Sequence, residues 1–248
     1  MFSWIDSWFS SRKPYLNVCS ATECLDKLGE LVQSAFGSES DSALEAAGYS
    51  SECKYPVFVL LTLGHTPLSK IITGATGDQF SHASISFTPT LDPLYSFGTK
   101  KLDSKGRELG FLIDKPNSHL WGDIPCSYSV YVTFVNKENY EKMKERLNYF
   151  VKNKDKLKYD FSGLVRIFFN IKSTTEKKWF CSRFVAEILS QGKDMEKDAS
   201  LYRPDTLKGI SNACLMIQGD NIRQYNADEA KKAFERVKKA PEGATSIV

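Results

Sequence analysis

The chain has 248 residues, of which 33 are Lys or Arg and 30 are Asp or Glu, for a formal net charge of +3. So small a surplus gives no electrostatic basis for holding nucleic acid, and 42% hydrophobic with 25% charged residues describes a globular chain, not a disordered one. No apolar run approaches the ~20 residues that cross a bilayer, so no transmembrane segment is expected.

The N-terminus carries an early Asp6 and no apolar stretch of signal-peptide length, which predicts synthesis in the cytoplasm without export by the usual route. Ser20 or Thr22 can cap a helix over about Glu23 to Phe36, and a loop rich in Ser, Gly and Glu follows from Gly37 to Ser51. Residues 1–54 thus read as an extension and linker ahead of a domain over 55–225, with a C-terminal helix and tail over 226–248. The domain opens with Val57-Phe58-Val59-Leu60-Leu61-Thr62-Leu63, a continuous apolar run expected of a buried strand. Pro67 starts a short helix to about Thr73. Ala83, Ile85 and Phe87 then alternate with serines, and after the Asp92-Pro93 turn Leu94 to Phe97 can pair back. Ser127 to Val135 alternates again, with Tyr128, Val130, Val132 and Phe134 on one side. Helices are predicted over Asn139–Lys152, Phe180–Gln191 and about Ala227–Lys239. Strands and helices in blocks, without strict alternation, indicate an α+β fold.

Six cysteines are spread along the chain with no CxxC pair and no Cys/His metal-ligand spacing, so free thiols are expected and no metal or cofactor is implied. Cys181 stands out because it opens the amphipathic helix that buries Phe184, Val185, Ile188 and Leu189. A thiol there faces the positive end of the helix dipole and unpaired N–H groups, which lower its pKa and can also hold an oxyanion. Three histidines are available to partner it. His82 begins the alternating strand among small residues, His65 lies in a Gly-His-Thr-Pro turn, and His119 lies in a polar loop before Trp121. Taken alone, Cys181 reads as a small buried apolar residue and His82 as an ordinary strand histidine. The chemistry rests on the two together.

Ser81-His82-Ala83-Ser84-Ile85-Ser86, followed far downstream by Trp179-Phe180-Cys181-Ser182, resembles the circularly permuted NlpC-like branch of the papain-like cysteine hydrolases, in which the histidine strand precedes the cysteine helix. Leu61 to Ile72, Tyr159-Asp160-Phe161, Arg203-Pro204-Asp205-Thr206-Leu207 and Cys214 to Ile217 are similar to further elements of that branch, in the right order. The resemblance covers about Tyr55 to Tyr225. It implies an antiparallel sheet packed on helices, Cys181 as nucleophile, His82 as general base, and Ser96 or Tyr95 as the group that orients the imidazole. Two departures stand out: Arg183 occupies a commonly acidic position, and Leu94-Tyr95-Ser96-Phe97 offers no carboxylate or amide. The implied reaction is cleavage of an amide or ester, with peptidoglycan as the commonest substrate. Delivery would then require a phage particle or host lysis, and the terminal extensions are candidate docking segments for virion or assembly proteins. Two alternatives stay open. One is a virion protein that keeps the fold with little activity. The other is a lipase-like enzyme anchored through the aromatic segment Met1–Phe9.

Overall fold

A computed structural model describes residues 54–239 apart from 65–66 and 104–105. The expected helix over Glu23–Phe36, the linker after it, the aromatic nonapeptide, His65 and the extreme C-terminal tail lie outside the described residues. The described chain forms β1 (Tyr55–Leu63), α1 (Pro67–Thr76), β2 (His82–Ser86), β3 (Leu94–Asp103), β4 (Gly106–Asp114), β5 (Ser127–Val135), α2 (Lys137–Lys152), β6 (Lys158–Tyr159), α3 (Phe161–Phe168), β7 (Lys178–Trp179), α4 (Cys181–Leu189), β8 (Cys214–Gly219) and α5 (Ala227–Lys239). The strands build one mixed sheet in the order β7-β6-β4-β3-β2-β1-β5-β8. Neighbours run antiparallel except β6 and β7, which are parallel. The fold is α+β.

The apolar run of β1 has a simple cause: the sheet is covered on both faces. Val57, Val59 and Leu61 point to a core shared with Met143 and Phe150 of α2 and Phe184 and Ile188 of α4. Phe58 and Leu60 point the other way, into a core with Val130 and Val132 of β5 and Ala230 and Ala233 of α5. The C-terminal helix, which the sequence sets apart, is therefore part of this second core. Its Phe234 ring stands edge-on to Phe58 with centroids 5.2 Å apart.

Helix α4 is held by aromatic packing. Phe184 lies 5.5 Å from Phe97 of β3 and 4.9 Å from Phe150 of α2, centroid to centroid. Phe150 in turn meets Trp179 edge-on at 4.9 Å. Arg146 of α2 bonds Glu187 of α4 through Nε at 2.8 Å. A buried aromatic of this kind contributes about 3–5 kcal/mol against truncation to Ala. That packing fixes the axis of the helix, and so the place of its first residue. The helix is shorter than expected: Phe180 is its N-cap residue, and Ser190 already closes it.

Candidate active site

The alternation of β2 sends Ala83 and Ile85 into the core beneath α4, and His82, Ser84 and Ser86 to the opposite face. Strands β2 and β3 pair at Ile85 and Tyr95 and then part. Within a strand, the N–H and C=O of one residue point the same way, so Ala83 turns both groups into the gap. The Ser96 hydroxyl takes the carbonyl, donating to Ala83 O at 2.6 Å. The Ala83 N–H faces the thiol of Cys181. The gap is therefore what lets a cysteine from the helix layer reach the sheet beside His82.

His82 sits at the other side of this arrangement. Its Nε2 lies 3.2 Å from Ser96 Oγ and 3.4 Å from Ser84 Oγ. With the Ser96 hydrogen engaged at 2.6 Å by the Ala83 carbonyl, the better-satisfied arrangement has Nε2–H donating to Ser96 Oγ, which leaves Nδ1 as the acceptor. Tyr95, the other residue considered for orienting the ring, points to the opposite face and stacks on Phe111 at 6.5 Å. Of the two, Ser96 is the one at the imidazole. Gly98 leaves the ring its space, since a Cβ there would stand 3.4 Å from His82 Cε1 and 3.1 Å from Leu112. Trp121 meets the ring edge-on at 6.1 Å, its indole Nε1 donating to Lys115 O. Among the described residues no hydrogen bond joins the Cys181 sulfur to the His82 ring; the two are brought together through Ala83. His119 lies in the short turn His119–Trp121 before that indole.

Helix α4 has no side chain capping its N-terminus. The N–H groups of Cys181 and Ser182 consequently remain free for the sulfur, beside that of Ala83. The expectation of a depressed thiol pKa is nonetheless overturned. Burial raises the pKa of Cys181, which is 2% exposed, and the three N–H groups offset this only in part. Burial likewise drives His82 down to about 4, although the ring keeps part of its surface open to the cleft. At neutral pH the pair rests as thiol and neutral imidazole, not as an ion pair.

The segment leading to Cys181 is pinned from beneath. Strand β7 runs parallel to β6, pairing Trp179 with Tyr159. Asp160, 1% exposed, caps α3 by accepting from Gly163 N at 2.9 Å, and also accepts from Ser162 Oγ at 2.8 Å and Ser173 Oγ at 3.0 Å. Burial pushes its carboxyl up, but these bonds and the nearby Arg183 outweigh it and hold it below the usual range. Arg183 donates to Thr175 O and Lys178 O at 2.9 Å each, and to Ser173 Oγ at 3.2 Å, and lies 4.1 Å over the Trp179 ring. Arg183 thus works beneath the site, fastening residues 173–178.

No protein-family model matches the chain, and no curated protein matches it.

A cavity of about 570 Å³ opens on the His82 face. Its lining includes Thr62, His82, Ser84, Leu94, Leu112, Trp121, Ile124, Tyr159 and Phe161, but not the buried Cys181. It includes Asp114 and Asp123 but no described lysine or arginine. Tyr159 stays protonated far into alkaline pH, because burial and the neighbouring Cys181 and Asp160 raise its pKa well above the ordinary phenol value. No group of three or more metal-ligating side chains occurs among the described residues, and no described helix is long and apolar enough to cross a membrane. Trp121, Gly98 and Arg183 are components that residue spacing alone did not assign to the site. The cue for Arg183 was its place two residues after the thiol.

Proposed function

We propose that the chain is a papain-like cysteine hydrolase of the permuted NlpC-like kind, cleaving an acyl bond through a thioester on Cys181. The observation that carries this reading is the junction at Ala83, with the thiol on its N–H and the Ser96 hydroxyl bridging its carbonyl to the His82 ring. His82 removes the thiol proton as sulfur attacks the substrate carbonyl carbon. The oxyanion is met by the free N–H groups at the start of α4, and by the Tyr159 hydroxyl, which keeps its proton. Collapse breaks the bond to the amine or alcohol, which leaves with the proton from His82. Water, deprotonated by His82, then hydrolyses the thioester and restores the thiol. Since the pair rests neutral, thiolate forms during attack and not before it.

Among the substrates that the resemblance implies, the lining favours an ester or amide of an apolar acyl group. Leu94, Leu112, Trp121 and Ile124 supply that apolar surface, while Asp114 stands in the lining and Asp123 is paired with Arg223 at 3.1 Å. The test is to mix the protein with p-nitrophenyl octanoate, and separately with peptidoglycan fragments, and to search for the acyl adduct by peptide mass spectrometry. The reading expects the adduct on Cys181, slowed in His82→Gln and absent in Cys181→Ala. Labelling that ignores His82, or that falls equally on Cys126 and Cys214, sinks the enzyme and leaves a fold kept for assembly.

A further inference from the structure

Helix α3 exposes what a helix of a globular domain normally buries. Phe161, Val165 and Phe168 follow one another at i, i+4 and i+7, which places them on one face. They are 52%, 59% and 37% exposed, while the helix buries Gly163 and Leu164 instead. Just beyond its end, Phe169 is 71% and Ile171 54% exposed. Of the eight large apolar side chains exposed among the described residues, five therefore lie between Phe161 and Ile171. A sixth, Ile124, lines the cleft together with Phe161, so the apolar surface runs into the cleft mouth. So dense a patch marks an interaction site and is not ordinary surface scatter.

The charge along this stretch is mainly basic. Residues 154–178 contain seven basic side chains against three acidic ones, and one of the three, Asp160, is buried within its hydrogen bonds. Arg166 and Lys172 lie inside the apolar segment, Lys172 with its Nζ 3.8 Å from Asp198 at the surface, and Lys158 and Lys178 sit opposite each other on β6 and β7 at its base. Apolar side chains ringed by lysine and arginine match the interface of a bilayer bearing anionic headgroups, where aromatic side chains enter the acyl boundary and cations stay at the phosphates.

We propose that α3 and the turn after it form a docking face for an anionic phospholipid bilayer, which sets the mouth of the cleft at the lipid surface. The proposal goes beyond the hydrolase reading and does not depend on it, because docking is measured without turnover. The experiment is co-flotation of the full chain with phosphatidylcholine vesicles, with and without phosphatidylglycerol. Binding should require phosphatidylglycerol, weaken as salt is raised, and fall about a hundred-fold in V165S/F168S/F169S, whose side chains are all outside the core. Replacing Arg166 and Lys172 by Gln should weaken it about tenfold while leaving the apolar face intact. Unchanged melting of both variants establishes that they fold. Failure of the full chain to float, or equal flotation of the triple variant, overturns the proposal, the second outcome assigning membrane binding to another part of the chain. A dimer formed without lipid and dissolved by the triple substitution also overturns it, making the face a contact between copies.

Discussion

Replacing Ser96 by Ala separates the two tasks that its hydroxyl performs. The side chain is completely buried, donating to Ala83 O at 2.6 Å and standing 3.2 Å from His82 Nε2. Its loss leaves the Ala83 carbonyl unpaired in the gap between β2 and β3. An orphaned buried acceptor costs about 1–3 kcal/mol, and the middle of that range lowers melting by roughly 4–8 °C in a domain of this size. The second effect is kinetic. Left with only the longer 3.4 Å contact to Ser84 Oγ, the imidazole is held less firmly, and misorientation of the ring slows acylation about 10- to 100-fold. The assay is single-turnover release of p-nitrophenolate from the octanoate ester, run beside thermal unfolding on the same preparation. A melting loss with an unchanged acylation rate would show that Ser96 holds strands together and has no part in orienting His82. If neither quantity moves, the described bridge at Ala83 is wrong.

Four further outcomes follow from the same geometry. Acylation should hold its rate from neutral pH down to about 4 and fall below it as His82 gains a proton; the limb should vanish in His82→Gln. Folding stability should track the same group: the unfolded ring binds a proton near its ordinary 6.5 and the folded one near 4, so stability declines as pH falls through that window, a slope that His82→Gln removes. Gly163→Ala should destabilise the protein by about 1–3 kcal/mol in denaturant unfolding, because its Cβ would stand 2.5 Å from Asp160 Oδ2 and 2.9 Å from Phe180, both buried. Arg183→Met leaves the Thr175 and Lys178 carbonyls without their donor and should cost about 3 kcal/mol or more in denaturant unfolding.

Much of the scaffold could be read in the residues. The unbroken apolar run at 57–63 foretold a strand covered on both faces, and Tyr128, Val130, Val132 and Phe134 do face one core. The helix opened by Cys181 was legible from Phe184, Val185, Ile188 and Leu189 alone. Strand β4 was missed, as was the length of β3 beyond Phe97, because glycines and charged residues interrupt the alternation there. Their pairing comes from the neighbouring strand instead. Helix α3 was missed because its spacing carries no burial on the face that shows it. The thiol pKa was misjudged for a similar reason. A sequence shows that Cys181 begins a helix, but not that the fold buries it against β2 and removes the water that would stabilise its anion. Arg183 and Trp121 reach the site through tertiary contacts that no spacing along the chain records.

The two-faced burial of β1 also ties the chemistry to the register of the sheet. His82 lies opposite Thr62, and a slip of β2 by one residue would present Ala83 to the cleft and drive the imidazole under α4. The thiol would then face a methyl group. Such a slip would at the same stroke push Ser84 and Ser86 among Phe97, Phe184 and Ile188, so the core rejects the same error that would disarm the site. Insertions can therefore accumulate in the turns around this sheet, but a single residue gained or lost within β2 cannot be absorbed by either function or folding.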